Sequence, residues 1–437
     1  MRGDARTYAA GLDAEVQDFE GEACMAGQWV EVAAADGGVF KGYLSVPAAG
    51  SGPGILLLHE IFGVNESMRR VADYYAEEGY VVLVPDLFWR LEQGVDLGYS
   101  DADFAKAMEY NQRFDAERSI ADISRALATL RSRVECTGKV GALGFCLGGK
   151  LAFLMAARTD IDCAVSYYGV GIEEHLAEAP RINCPMVFHF AELDRYVPRE
   201  AREQIGAAFA QRPDVDVYSY PDCDHAFSAP DRASFNKPAS LMAHSRSIAL
   251  FRKVMGPHYD LDRLWQRHSD LEFVERSVDA TMATMVPEPY VNHIPTLTGG
   301  VGYRDLYRFY RDHFIPKNPK DAKLIPISRT IGADRIVDEV LLCFTHDIEI
   351  DWMLPGVPPT GKYVEVPLVA IVRFRGDKLY NEHIYWDQAS VLVQIGLLER
   401  GNLPVVGAET AKKLVDETLP SNVLMAKWQV GEPSAAV

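Results

Sequence analysis

The chain predicts two domains of different class: an α/β domain on a mostly parallel sheet, then an α+β domain. Three observations carry this. The 437 residues exceed what one hydrophobic core usually organises. Up to about residue 255, short apolar runs alternate with helix-patterned stretches. From about residue 256 the order changes to helices first and long strands afterwards.

Residues 1–26 are read as an N-terminal extension and 27–256 as the first domain. Residues 27–47 suit a strand pair turned at Asp36-Gly37-Gly38, and 54–59 is a continuous apolar run suited to a strand covered on both faces. A helix over 66–78, a strand over 80–85 and a long helical stretch within 101–133 come next, then a strand over 140–145 and a helix over 150–158. Strands over 163–168, 186–190 and 215–220, with helices over 198–211 and 239–254, complete the parallel pattern. Residues 257–261 are a linker, and 262–437 form the second domain with a C-terminal tail. There, 260–285 and 302–314 are helical in character, and strands are expected over 324–331, 335–350, 364–374 and 378–386. The stretch Pro355-Gly356-Val357-Pro358-Pro359 marks a loop between two of them.

A hydrophobic content of 48% with 24% charged residues is that of a globular protein, not a disordered one. The net charge of −18 argues against a nucleic-acid partner, whose phosphates it would repel. No membrane partner is expected, because the start lacks a cationic segment leading into an apolar one and no run approaches eighteen apolar residues. The expected location is cytoplasmic. The seven cysteines, at 24, 136, 146, 163, 184, 223 and 343, form no C-x-x-C pair and fit reduced thiols.

The chemistry begins at Gly144-Phe145-Cys146-Leu147-Gly148, a G-x-C-x-G turn between an apolar strand and a helix. With 34 glycines and 7 cysteines in the chain, the bare pattern has about 0.04 chance occurrences. Small flanking residues allow the sharp bend that lifts a nucleophile clear of a sheet. Asp194 follows the 186–190 strand and His225 follows the 215–220 strand, in the order acid then histidine that such a turn requires. Ligand sites in open parallel sheets lie at these carboxyl ends. His225 would take the Cys146 proton, Asp194 would hold the imidazole, and the start of the helix would favour the thiolate. The backbone N–H groups of Leu147 and Ile61 are the expected oxyanion donors.

At this point the chain resembles the dienelactone hydrolase family. The resemblance is carried by His59-Glu60-Ile61-Phe62-Gly63-Val64-Asn65, Pro85-Asp86-Leu87-Phe88-Trp89-Arg90, the Cys146 turn, Asp194 and His225, across residues 30–255. It implies an α/β-hydrolase fold that opens lactones or related esters, as a carboxymethylenebutenolidase does, without metal or cofactor. It also implies that Glu60 contacts the resting cysteine and is displaced when substrate binds. Arg90, with Phe62, Trp89 and Phe227, is then expected to bind substrate. The family's second carboxylate-binding arginine falls at Ala229, so a neutral lactone or ester becomes a serious candidate unless Arg195 or Arg232 compensates.

The second domain resembles the polyketide-cyclase-type, SnoaL-like branch of the nuclear-transport-factor-2-like superfamily. That resemblance rests on Tyr290-Val291-Asn292-His293-Ile294-Pro295 and Glu382-His383-Ile384-Tyr385-Trp386-Asp387-Gln388. It implies a cone-shaped pocket with Asp387, His383 and His293 as candidates for acid–base work. Strand alternation puts His383 and Tyr385 on one face and Glu382, Ile384 and Trp386 on the other. The second domain is expected to act as pocket, lid or homo-oligomer contact. The alternatives are a non-hydrolytic cysteine sensor or small-molecule binder, and a bifunctional enzyme with isomerase or cyclase chemistry at Asp387.

Overall fold

Residues 52–58 are buried along their whole length, as a strand covered by helices on both faces must be. The computed structural model describes residues 27–428. The extension 1–26, including Cys24, and the end of the tail from 429 lie outside the described residues.

The first sheet comprises β1 (Gln28–Ala33), β2 (Val39–Ser45), β3 (Gly52–Leu58), β4 (Val81–Pro85), β5 (Cys136–Phe145), β6 (Cys163–Tyr167), β7 (Met186–Ala191) and β8 (Val215–Tyr220). Their order is β1-β2-β4-β3-β5-β6-β7-β8. The β1–β2 and β2–β4 pairs are antiparallel and every later pair is parallel. The helices are α1 (Glu66–Glu77), α2 (Asp101–Arg113), α3 (Ala116–Ser132), α4 (Leu147–Arg158), α5 (Arg199–Phe209) and α6 (Lys237–Met255). Leu56 and Leu58 of β3 join one core with Leu127 of α3 and Leu151 of α4. Ile55 and Leu57 join the other with Tyr75 of α1 and Phe251 of α6. This is the mostly parallel sheet expected of an α/β-hydrolase domain.

The long helix expected within 101–133 is instead two. Asp115 breaks it because its side chain accepts the Arg118 N–H at 3.1 Å and caps α3.

The second sheet comprises β9 (Met285–His293), β10 (Thr298–Val301), β11 (Lys323–Ile331), β12 (Arg335–Thr345), β13 (Tyr363–Arg375) and β14 (Lys378–Trp386), in the order β10-β9-β14-β13-β12-β11. Only β9 and β14 run parallel. Helices α7 (Leu261–Phe273), α8 (Val278–Ala283) and α9 (Tyr303–Phe309) share its core through Trp265, Met282 and Leu306. The chain then runs through α10 (Gln388–Ile395) and α11 (Glu409–Val415). Strand β9 is an addition to the expectation. Pro287 and Pro289 argue against a strand, and the ladder to β14 accommodates them by skipping from Met285–Leu379 to Tyr290–Asn381. Among the described residues, no helix is long and apolar enough to cross a membrane.

The two domains meet through a buried carboxylate. Glu78, just past the end of α1, accepts from Arg252 at 2.8 Å and from the Gly376 N–H at 3.1 Å, with His244 Nε2 at 3.3 Å. Alongside it Arg375 donates to Glu77 at 2.6 Å, and Ser245 donates to Asp334 at 2.5 Å. Since α1 runs back from the carboxyl end of β3, its own C-terminus lies at the opposite edge of the sheet from the β5–α4 turn. The Glu78 anchor of the second domain therefore lies at the end of the sheet away from Cys146.

Glu78 is fully buried, so removing it leaves Arg252 charged and without its partner. Glu78→Ala is expected to lower stability by about 3–5 kcal/mol in urea unfolding. A loss under about 1 kcal/mol would contradict this account of the interface.

Candidate active site

Cys146 sits between β5 and α4 with φ 54 and ψ −115, a backbone conformation that L-residues rarely adopt. Only bare backbone lets neighbouring segments come close enough to hold it there. A Cβ on Gly144 would lie 1.9 Å from the Gly148 carbonyl oxygen, and one on Gly148 would lie 2.0 Å from that of Leu58. The turn is further held by the Cys146 N–H donating to the Tyr167 carbonyl at 3.0 Å. The sulfur thus stands at the head of α4. The Leu147 N–H belongs to the first helical turn, whose donors have no partner within the helix.

His225 Nδ1 lies 2.7 Å from Asp194 Oδ2. Asp194 Oδ1 accepts from the N–H groups of Tyr196 at 2.8 Å and Val197 at 3.3 Å, so the carboxylate is buried but satisfied. Burial alone would lower the His225 pKa. Cys146 and Asp194, facing the imidazole, outweigh it and raise the His225 pKa well above its usual range.

Glu60 is buried, and among the described residues its Oε1 has no hydrogen-bond partner. Burial raises its pKa, and the nearby His225 and Arg232 charges oppose the rise. Arg232 Nη1 stands 4.0 Å from Glu60 Oε2, with its guanidinium 5.2 Å from the Phe62 ring centre and 4.9 Å from that of Tyr99. The loop carrying Glu60 and Ile61 is strapped by His59. Its Nε2 accepts from the Leu87 N–H at 3.0 Å, so Nδ1 carries the proton and donates to the Glu60 carbonyl at 2.5 Å. Burial pushes the His59 pKa down to about 4 and keeps that tautomer neutral.

A cavity of about 130 Å³ brings together Glu60, Ile61, Phe62, Cys146, Leu147 and His225. Its other lining residues include Arg232, Lys150, Tyr196 and Asn111 of α2, and all of them come from the first domain. Lys150 could have been found in the sequence, since it lies four residues after Cys146 on the same helical face.

Three expected substrate residues lie elsewhere. Arg90 is committed to Asp122 at 2.7 and 2.8 Å and to Asp36 at 2.7 Å. Trp89 donates to Asp122 at 3.0 Å and stacks on Phe40. Phe227 is fully buried behind the site against Tyr168 and Tyr220. A carboxylate on α3 thus holds the arginine that sequence reasoning offered to a substrate. Arg195 lies over the Tyr196 ring outside the cavity lining, whereas Arg232 stands within it.

The second domain holds a separate cavity of about 50 Å³. His293 lines it, buried and donating to the Thr298 carbonyl at 3.3 Å, with its pKa lowered to about 4 by burial. Asp387 and His383 are corrections. Asp387 is exposed and caps α10 by accepting the Ala389 N–H at 3.0 Å. His383 lies on the opposite face of β14, against Tyr290 and Asn381. The inward face carries Glu382, which meets Glu272 and His268 of α7. The signal missed in the sequence is the His268-x-x-x-Glu272 spacing on one helical face.

Residues 40–255 match the model of the dienelactone hydrolase family. A carboxymethylenebutenolidase of Pseudomonas sp. (strain P51) is 35% identical over 226 residues, spanning 52% of this chain and 94% of that protein. One from Pseudomonas putida is 34% identical over 220 residues, spanning 50% of this chain and 93% of that protein. Among solved structures, a dienelactone hydrolase-like promiscuous phosphotriesterase, P91, from metagenomic libraries is 22% identical. That structure aligns with a TM-score of 0.45, covering 53% of this chain and 100% of that one. The chain belongs to the dienelactone hydrolase family through its first domain.

Removing the Cys146 sulfur should release His225 toward ordinary behaviour. In Cys146→Ser the imidazole titration followed by NMR is expected to fall by about one pH unit or more. An unchanged midpoint would show that Cys146 does not hold the proton on His225.

Proposed function

We propose that the first domain is a cofactor-free hydrolase that opens a lactone or small ester by acyl transfer to Cys146, in the manner of a carboxymethylenebutenolidase. The observation carrying this reading is one cavity that holds Cys146 at the head of α4 together with His225, itself 2.7 Å from Asp194.

The thiolate attacks the carbonyl carbon, and the oxyanion is held by the Leu147 and Ile61 N–H groups. The C–O bond to the leaving alkoxide breaks as His225 donates its proton to that oxygen. In the second half His225 takes a proton from water, the resulting hydroxide attacks the thioester carbonyl, and the thiolate departs. Asp194 holds the imidazole orientation through both halves.

Arg232 takes the place left by the alanine at 229. A substrate carboxylate bound to Arg232 competes with Glu60 for the same guanidinium, so an anionic substrate would displace Glu60 as it binds. Glu60 then acts as a gate on the thiolate.

The second domain we read as a SnoaL-like, nuclear-transport-factor-2-like module. Helices α7 to α9 against a six-stranded sheet with an internal cavity support this. Among the described residues it supplies none that lines the Cys146 cavity, which gives no support to a role as lid or shared pocket.

With a p-nitrophenyl ester, the wild-type chain should release a burst of alcohol followed by turnover, and Cys146→Ala should lower kcat about 10⁴-fold. Binding without turnover would favour the cysteine sensor instead. For a carboxylated lactone, Arg232→Ala should raise KM about 10–100-fold while Arg90→Ala leaves KM unchanged. The reverse pattern would restore Arg90 as the carboxylate partner.

A further inference from the structure

We propose that His268, Glu272 and Glu382 form a binding site for a divalent first-row transition-metal ion at the wall of the second-domain cavity. His268 Nε2 lies 3.1 Å from Glu272 Oε1 and 3.1 Å from Glu382 Oε1, and the three donor atoms fall within 4.8 Å of one another. Metal–ligand bonds near 2.1 Å place neighbouring ligands roughly 3.0 Å apart in octahedral and 3.4 Å in tetrahedral coordination. The two separations from His268 Nε2 match the edges of such a polyhedron.

The imidazole is oriented for this task. The Thr284 hydroxyl gives its proton to the Thr281 carbonyl at 2.6 Å, so it can only accept from His268 Nδ1, 2.6 Å away. Nδ1 therefore carries hydrogen and Nε2 is the nitrogen turned toward the carboxylates, the arrangement that aims a metal-binding histidine.

A second, independent observation is Glu382. It is 3% exposed and lines the cavity, and among the described residues its Oε1 makes no hydrogen bond and has the His268 imidazole 3.1 Å away. One imidazole, 3.1 Å from this oxygen and from Glu272, faces two buried carboxylates, which leaves a place for a second positive partner. The cavity's size bears on what that partner is. About 50 Å³ holds roughly three waters, enough for an ion with its remaining water ligands and too little for a bulky organic cation. Nitrogen and carboxylate donors without thiolate suit Zn²⁺ or its first-row neighbours. Binding replaces the Nε2 proton, which leaves to solvent.

The test is a calorimetric titration of the chelator-treated, full-length Cys146→Ala chain with ZnCl₂, the alanine removing a rival thiolate. One equivalent is expected to bind, with affinity falling at least tenfold in Glu382→Gln and about 10–100-fold in Thr284→Val, which alters only the orienting contact. The wild-type chain with Co²⁺ gives a check free of folding effects in the variants. Weak ligand-field bands without thiolate charge transfer are expected. Absence of stoichiometric binding, affinity unchanged in Glu382→Gln, or a thiolate charge-transfer band would each overturn the proposal.

Discussion

Everything at the candidate active site depends on one strained turn. Cys146 holds φ 54 only because Gly144 and Gly148 let the β5–α4 backbone pass within distances that any Cβ would forbid. That conformation presents the sulfur at the start of α4 with the Leu147 N–H beside it, and the stacked strands supply the rest. Strand β7 ends near Asp194, β8 ends near His225, and β3 delivers the His59-strapped loop with Glu60 and Ile61. The parallel sheet brings segments distant in sequence to one edge, and the turn makes that edge reactive.

The second domain is attached at the other edge. Its buried anchor, Glu78, gathers Arg252, His244 and a backbone N–H from the β13–β14 turn. Among the described residues each cavity is lined by its own domain, and each contains a buried carboxylate oxygen without a hydrogen bond, on Glu60 in one and Glu382 in the other. A polypeptide that retains such groups in two places retains two sites where a ligand can complete the electrostatics.

Much of this is legible in the sequence, for reasons that differ by residue. Cys146, Asp194 and His225 each follow an apolar strand, and the local rule that loops leave parallel strands at a common edge sufficed to bring them together. Arg90 was misread because its neighbour Asp122 is 32 residues away on α3, and no local pattern announces that pairing. In β14 the alternation of faces holds, and the candidate His383 falls on the face away from the cavity. Glu382 is buried on the inward face beside His268, more than a hundred residues earlier. Strand β9 was hidden by two prolines that a break in the ladder accommodates.

The central claim is a covalent acyl-enzyme on the sulfur of Cys146. Rapid acid quench during turnover of a slow ester, followed by mass spectrometry of the peptide containing Cys146, tests it directly. The account predicts that this peptide gains the mass of the acyl group as a thioester and that the adduct disappears as substrate is exhausted. Turnover at full rate with Cys146 unmodified at every time point, or the acyl group found on another residue, would contradict it.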